Sequence, residues 1–236
     1  PWIGSDFYAQ MVSRMMILAI FAMSLDLLQG VTGLVSLGHA AYFGLASYLL
    51  AFMTPPGEPV SLWWTLPLAV LGSGLAAAVI GFFVVRTQGI YFIMVTMAFA
   101  QMVYYLVVSF KAYGGDDGLP LLARSRVGML DMSADTNFYY ITLAICLLVL
   151  VLIARLLNAR FGHVLQAIRD AESRVMFSGY SPLPYKLSIW VISAVMCGVA
   201  GALYVPQVGI INPSEMSPAN SIEIAIWAAV GGRATL

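Results

Sequence analysis

Six polar residues lie in or beside stretches apolar enough to be membrane: Asp26 and Gln29 at the end of the first, Ser36 and His39 in the second, Gln101 in the fourth and Glu223 at the entry of the last. An ionisable group in hydrocarbon is costly, so such residues usually face a cavity, a path or one another. Two chemistries are open to them: hydrogen bonding to a passing solute, and proton relay through Asp26, His39 and Glu223. For each one alone the plainer role is a helix-end residue reaching water, or a satisfied packing bond.

Catalysis fits poorly. Ser36 and His39 come without a G-x-S-x-G elbow and without a partner carboxylate in place, so hydrolysis is not expected. The run Gly114-Gly115-Asp116-Asp117-Gly118 lacks the ligand spacing of an EF-hand and reads as a tight exposed turn; no metal and no cofactor are expected. Cys146 and Cys197 each sit inside an apolar run and read as small buried hydrophobes rather than a bonded pair. No GxxxxGK[ST] loop occurs, so energy for any transport must come from an ion gradient or another subunit.

The segment that would position Ser36 and His39 is unusual. Gln29–Tyr48 carries Gly30, Gly33, Gly38 and Gly44 among Thr32, Ser36 and His39. Either this is a helix interrupted so that freed backbone groups line a path, or it is a straight, closely packed one.

The surrounding chain is 61% hydrophobic and 9% charged, against about 25% charged for a soluble domain. A bilayer core takes roughly 20 apolar residues as a helix. Runs near that length recur at 15–28, 33–53, 61–85, 89–110, 138–154 and 187–211, with another beginning at 224–230. The fold expected is an all-α polytopic transmembrane bundle of six spans and the start of a seventh. We read one permease-like domain over 1–236, cut at both ends, since the chain starts at Pro1 and stops just after an apolar run.

Charge sets the expected orientation. The island 155–186 holds Arg155, Arg160, Arg169, Arg174 and Lys186 against Asp170 and Glu172, which places it in the cytoplasm. Alternation then puts Arg86–Gln88 inside, and the Glu58 turn and the acid-rich 111–137 connection outside. The N-terminus falls outside with Arg14 nearby, against the bias, unless an upstream segment exists. Within the island, Phe161, Val164, Leu165, Ile168, Ala171, Val175 and Met176 recur at helical spacing, with Arg169, Asp170 and Arg174 on the other side. Gly179 is placed to end that helix, and Pro182 and Pro184 forbid its simple continuation. Such a helix either docks a cytoplasmic partner or rests on lipid headgroups. Elsewhere, Gly and Ala concentrate in 61–85 and 187–205, a pattern that lets helices approach closely in lipid.

Taken together the motifs resemble a family. LDLLQGVTGLVSLGHAAYFGLASY (Leu25–Tyr48), RTQGIYFIMVTMAFAQ (Arg86–Gln101), GGDDGL (Gly114–Leu119), RFGHVLQAIRDAESRVMFSGY (Arg160–Tyr180), YKL (Tyr185–Leu187), GVAGALYVPQVGIINPSEMSPANSIE (Gly198–Glu223) and GGRATL (Gly231–Leu236) are similar to segments of permease subunits of the branched-chain amino acid and urea type of ABC importer. The resemblance implies a multi-pass permease of the bacterial inner membrane, not an enzyme. It also implies a second similar permease, two cytoplasmic ATPase subunits, a periplasmic solute-binding protein and no nucleic acid. It makes 158–186 the ATPase-coupling loop, with Phe161, Arg169, Asp170, Glu172, Arg174 and Gly179 as its residues; Glu172-Ser173 departs from the common Glu-Ala-Ala form. Up to Asn158 the chain looks like the branched-chain amino acid permeases, and from Arg160 onward more like those for urea. The expected solute is a branched-chain or other hydrophobic amino acid, with urea or a short amide as the alternative. From a different class, an ion-gradient-driven carrier also remains.

Overall fold

The computed structural model describes residues 6–54, 62–110, 115–120, 126–127, 130–131 and 135–232. The turn around Glu58, Lys111, Gly114 and the RATL end of the last motif lie outside the described residues.

The fold is helical. In chain order the helices are α1 (Asp6–Asp26), α2 (His39–Met53), α3 (Leu62–Val84), α4 (Ile90–Ser109), α5 (Asp135–Asn158), α6 (Arg160–Phe177), α7 (Pro182–Val208) and α8 (Pro218–Gly231). α1 runs directly into a π-helical turn, Leu27–Val31. Among the described residues, five helical stretches are long and apolar enough to cross a membrane: Phe7–Val31, Leu62–Val84, Ile90–Ser109, Thr136–Asn158 and Pro182–Val208. The chain is a multi-pass membrane protein. Two-residue strands pair across loops: β1 (Leu119–Pro120) with β4 (Ile210–Ile211), and β2 (Arg126–Val127) with β3 (Leu130–Asp131), both antiparallel.

α7 is the axis of the bundle. It packs against α1, α2 and α3, and Trp190, Ala194, Cys197, Ala200 and Leu203 are buried along it. Small residues make these approaches possible: a Cβ on Gly201 would run into the Phe43 carbonyl of α2, and one on Gly198 into the Ser73 hydroxyl of α3. At the same crossing Ser47 of α2 donates to the Gly201 carbonyl at 2.8 Å. Close backbone contact of this kind is what holds helices together where lipid removes the hydrophobic drive between them. The outward faces of α3, α4 and α5 are apolar, with Trp63, Leu71, Phe83, Tyr91, Met94 and Leu148 each more than half exposed. On α3, Trp63 and Trp64 sit at one end, and at the other the Arg86 guanidinium lies 4.3 Å over the Phe82 ring, a spacing suited to two bilayer interfaces. Cys146 and Cys197 are both free thiols.

The second expected span differs from a plain helix. α2 has only 15 residues, about 22 Å at 1.5 Å per residue. The rest of the crossing is made by residues 33–38, which are non-helical and begin with Gly33 at φ 72°. The structure therefore takes the interrupted form of the two that the sequence allows. Irregular backbone at membrane depth survives only where protein satisfies its polar groups, and side chains serve several amides here and at the start of α2. The Leu37 N–H meets Thr96 Oγ1 of α4 at 3.4 Å, the Gly38 N–H meets Ser36 Oγ at 3.2 Å, and the Ala40 N–H donates to Ser221 Oγ of α8 at 2.8 Å. Ser221 is buried and serves α2 as a cap borrowed from another helix. Ser221→Ala is expected to cost about 1 kcal/mol, the usual loss for a helix cap, and to lower the Tm of the detergent-purified protein.

Candidate functional site: an inner elbow and a broken helix

α6 is amphipathic, and Leu165, Ile168 and Val175 bury its apolar face. It is not one straight helix. Ala171 has φ −159° and ψ 84°, which breaks it into two arms between Asp170 and Glu172. Nothing in the local sequence forecasts this, because Ala is the best helix former. Gly179 ends the second arm at φ 87°, with Tyr180 N–H to the Val175 carbonyl (3.3 Å) and Gly179 N–H to the Met176 carbonyl (3.0 Å), a Schellman closure.

The six elbow residues named from sequence divide into two groups. Asp170, Arg174 and Gly179 are exposed, beside Phe177, which is 92% exposed. Phe161, Arg169 and Glu172 tie the elbow to the bundle. The Phe161 ring stacks on Tyr185 of α7 with centroids 5.6 Å apart, and Lys186 Nζ of α7 donates to Glu172 Oε1 at 2.7 Å. Arg169 bridges from the elbow to the first helix's end. Its Nη1 donates to the Gly30 carbonyl at 2.8 Å, within the π turn, while its Nε bonds Asp170 Oδ1 at 3.3 Å. The Arg169 stem also passes so close to Gly33 that a Cβ there would lie 3.2 Å from Cγ. One side chain thus joins the elbow to the backbone just where the first crossing turns into the non-helical segment.

Beyond that segment, Ser36 and His39 meet in the core. His39 is fully buried, its Nδ1 3.2 Å from Ser36 Oγ and its Nε2 2.7 Å from Ser193 Oγ of α7. Ser193 Oγ in turn donates to the Ser24 carbonyl of α1, and Cys197 Sγ donates to the His39 carbonyl at 3.3 Å. Trp190 and Tyr42 meet the imidazole edge-on at 5.5 and 5.8 Å. This is a polar junction of α1, α2 and α7 with both ring nitrogens occupied. Sequence spacing brought Ser36 and His39 together but gave no sign of Ser24 and Ser193, which are ordinary small residues in apolar runs.

The other four candidates lie elsewhere. Asp26 and Gln29 are buried at the end of α1 and in the π turn, and Gln29 Oε1 has no hydrogen-bond partner among the described residues. Gln101 is half-buried on α4 and joins neither cluster. Glu223 of α8 lines a cavity of about 370 Å³ at the far end of α7, together with Arg14, Tyr204 and Glu215. No group of three or more metal-ligating side chains occurs among the described residues.

Comparison with known proteins agrees with this architecture. The model of a family described as branched-chain amino acid transport system / permease component matches residues 7–236. The chain is 27% identical, over 98% of its length, to the high-affinity branched-chain amino acid transport system permease protein LivM of Salmonella typhimurium, and equally to that of Escherichia coli. It spans 60% of the length of each of these relatives. No solved structure matches it.

Proposed function

The chain belongs to the family of branched-chain amino acid transport permease components, and from that premise we propose that it is one membrane subunit of an ATP-driven importer in a bacterial inner membrane. In this reading residues 1–236 form one permease domain and 158–186 its coupling loop. A second, similar permease, two cytoplasmic ATPase subunits and a periplasmic solute-binding protein complete the assembly. The solute is a branched-chain or other hydrophobic amino acid, as the relatives' name states for them. Urea or a short amide is the second reading, favoured by the RDAESR and VPQVGIINPSEMSPANSIE stretches.

The observation that carries the proposal is the bond from Arg169 to Gly30. An ATPase gripping the exposed arm around Asp170, Arg174 and Phe177 moves α6, and α6 has two rigid outputs. Through Arg169 it moves the π turn and the non-helical segment leading to Ser36 and His39. Through Phe161–Tyr185 and Glu172–Lys186 it moves α7, whose 27 residues carry the displacement about 40 Å at 1.5 Å per residue. The His39–Ser193 bond joins the two outputs again in the core. Alternating access then amounts to α7 and α2 shifting together against α1, around a path to which Asp26, Gln29, Ser36, His39, Gln101 and Glu223 contribute.

The decisive measurement is uptake of radiolabelled leucine and of urea by proteoliposomes holding the complete assembly. Uptake is expected to require ATP and the ATPase subunits and to survive collapse of the proton gradient. Uptake that persists without the ATPases and vanishes with the gradient would instead establish the gradient-driven carrier, with Asp26, His39 and Glu223 as its relay.

A further inference from the structure

α5 packs on α1 and α6 but not closely on α7, and between α5 and α7 a groove of about 640 Å³ is left open. The buried side chains of Leu27, Ile153 and Met196 line its depth, and Leu152 and Ser188 stand exposed at its edge. On α7 the lining runs from Ser188 to Met196, about 12 Å of helix at 1.5 Å per residue. That is close to the depth of one leaflet, half of a hydrocarbon core about 30 Å thick.

Polarity is confined to one end. The Ser188 hydroxyl donates to the Pro184 carbonyl of its own helix at 2.7 Å, so it has little left for a ligand. Among the described residues lining the groove, Arg155, in the last turn of α5, alone is ionisable. It is exposed, and no hydrogen bond or ion pair joins it to another described residue. The two acids of the same island are engaged elsewhere, Asp170 with Arg169 and Glu172 with Lys186. The guanidinium therefore keeps its five N–H donors at the end of an otherwise apolar slot.

We propose that this groove binds an anionic phospholipid, one acyl chain lying along Val191, Ile192 and Val195 and the phosphodiester on Arg155. An amino acid or urea finds no second polar group there, whereas an amphiphile with a long tail and an anionic head matches both ends. Arg155 lies between transmembrane helices at the interface that carries the basic island, the kind of place where anionic headgroups bind. Its planar fork fits phosphate oxygens two at a time. Phe161 lines the groove and also stacks on Tyr185 of α7, so an occupied groove backs the corner where the elbow meets the bundle. The site requires only the membrane fold; neither the solute nor the ATPase subunits enter it, and its failure would leave the permease reading untouched.

The test is native mass spectrometry of the purified membrane assembly, titrated with dioleoylphosphatidylglycerol or with dioleoylphosphatidylcholine, which carry the same chains. The anionic lipid is expected to be retained about tenfold better, the size of a charge-assisted contact. Inorganic phosphate should not displace it, because the buried tail supplies the rest of the binding. Arg155→Met is expected to erase the preference. Arg86→Met, at the end of α3 and outside the groove, should preserve it. Equal retention of the two lipids, displacement by phosphate alone, or an unchanged preference in Arg155→Met would overturn the assignment. So would efficient cross-linking of Leu152→Cys to another subunit, which would put protein in the groove. The lipid comparison uses the unaltered assembly, so a variant that fails to fold leaves the proposal open to refutation.

Discussion

Arg169→Met is expected to leave ATP hydrolysis running while ATP-driven uptake falls about tenfold or more, in line with the roughly 1.5–3 kcal/mol of a hydrogen bond to a charged donor. The guanidinium is the link between the elbow and the Gly30 carbonyl. Methionine keeps the apolar stem that packs beside Gly33 but removes the donor, so the fold is kept and the transmission is lost. Arg169→Lys retains a charge without the planar fork and should recover part of the coupling. The measurement is the ratio of solute moved to ATP split in proteoliposomes. An unchanged ratio in Arg169→Met would show that the π turn does not follow α6.

Gly201→Leu should have the largest effect on stability. The bulk would be driven into the Phe43 carbonyl and the Ser47 hydroxyl, where two backbones already touch. Overpacking in a close-packed site costs about 1–3 kcal/mol and sometimes more, and here the obstacle is backbone that cannot rotate away. The expected result is a loss of monodisperse protein on extraction into detergent, read by size-exclusion chromatography. Gly231→Leu is the matched control: a Cβ there meets nothing within 4 Å, and the elution profile should be unaltered. If Gly201→Leu behaves like the control, α2 and α7 are not packed as described.

Much of this architecture is legible in the residues because membrane helices announce themselves by length. The apolar runs matched α1, α3, α4, α5 and α7, and the period of Leu165, Ile168 and Val175 located the buried face of α6. Gly179 was readable as a helix end for a physical reason, since its φ of 87° is one that side-chain-bearing residues avoid. The glycines of 29–48 signalled an irregular crossing, yet could not decide between a break and close packing; that choice rests on Thr96, Arg169 and Ser221, which come from three other helices. The kink at Ala171 has no local signal either, and the pairing of β1 with β4 joins segments some ninety residues apart. Alternation and periodicity carry no record of either. Arg14 is the instructive case: by charge distribution alone it was an inconvenience near the outer face, and only the fold places it beside Tyr204 in a cavity that Glu215 and Glu223 also line.

The cap that Ser221 lends to α2 has a consequence for how the protein is made. Translation proceeds from the first residue, so α1 and α2 enter the bilayer while α8 is still unwritten. Until residue 221 has left the ribosome, the amide of Ala40 lacks the acceptor it has in the finished fold. The bond that closes the start of α2 therefore forms only after α8 has been made.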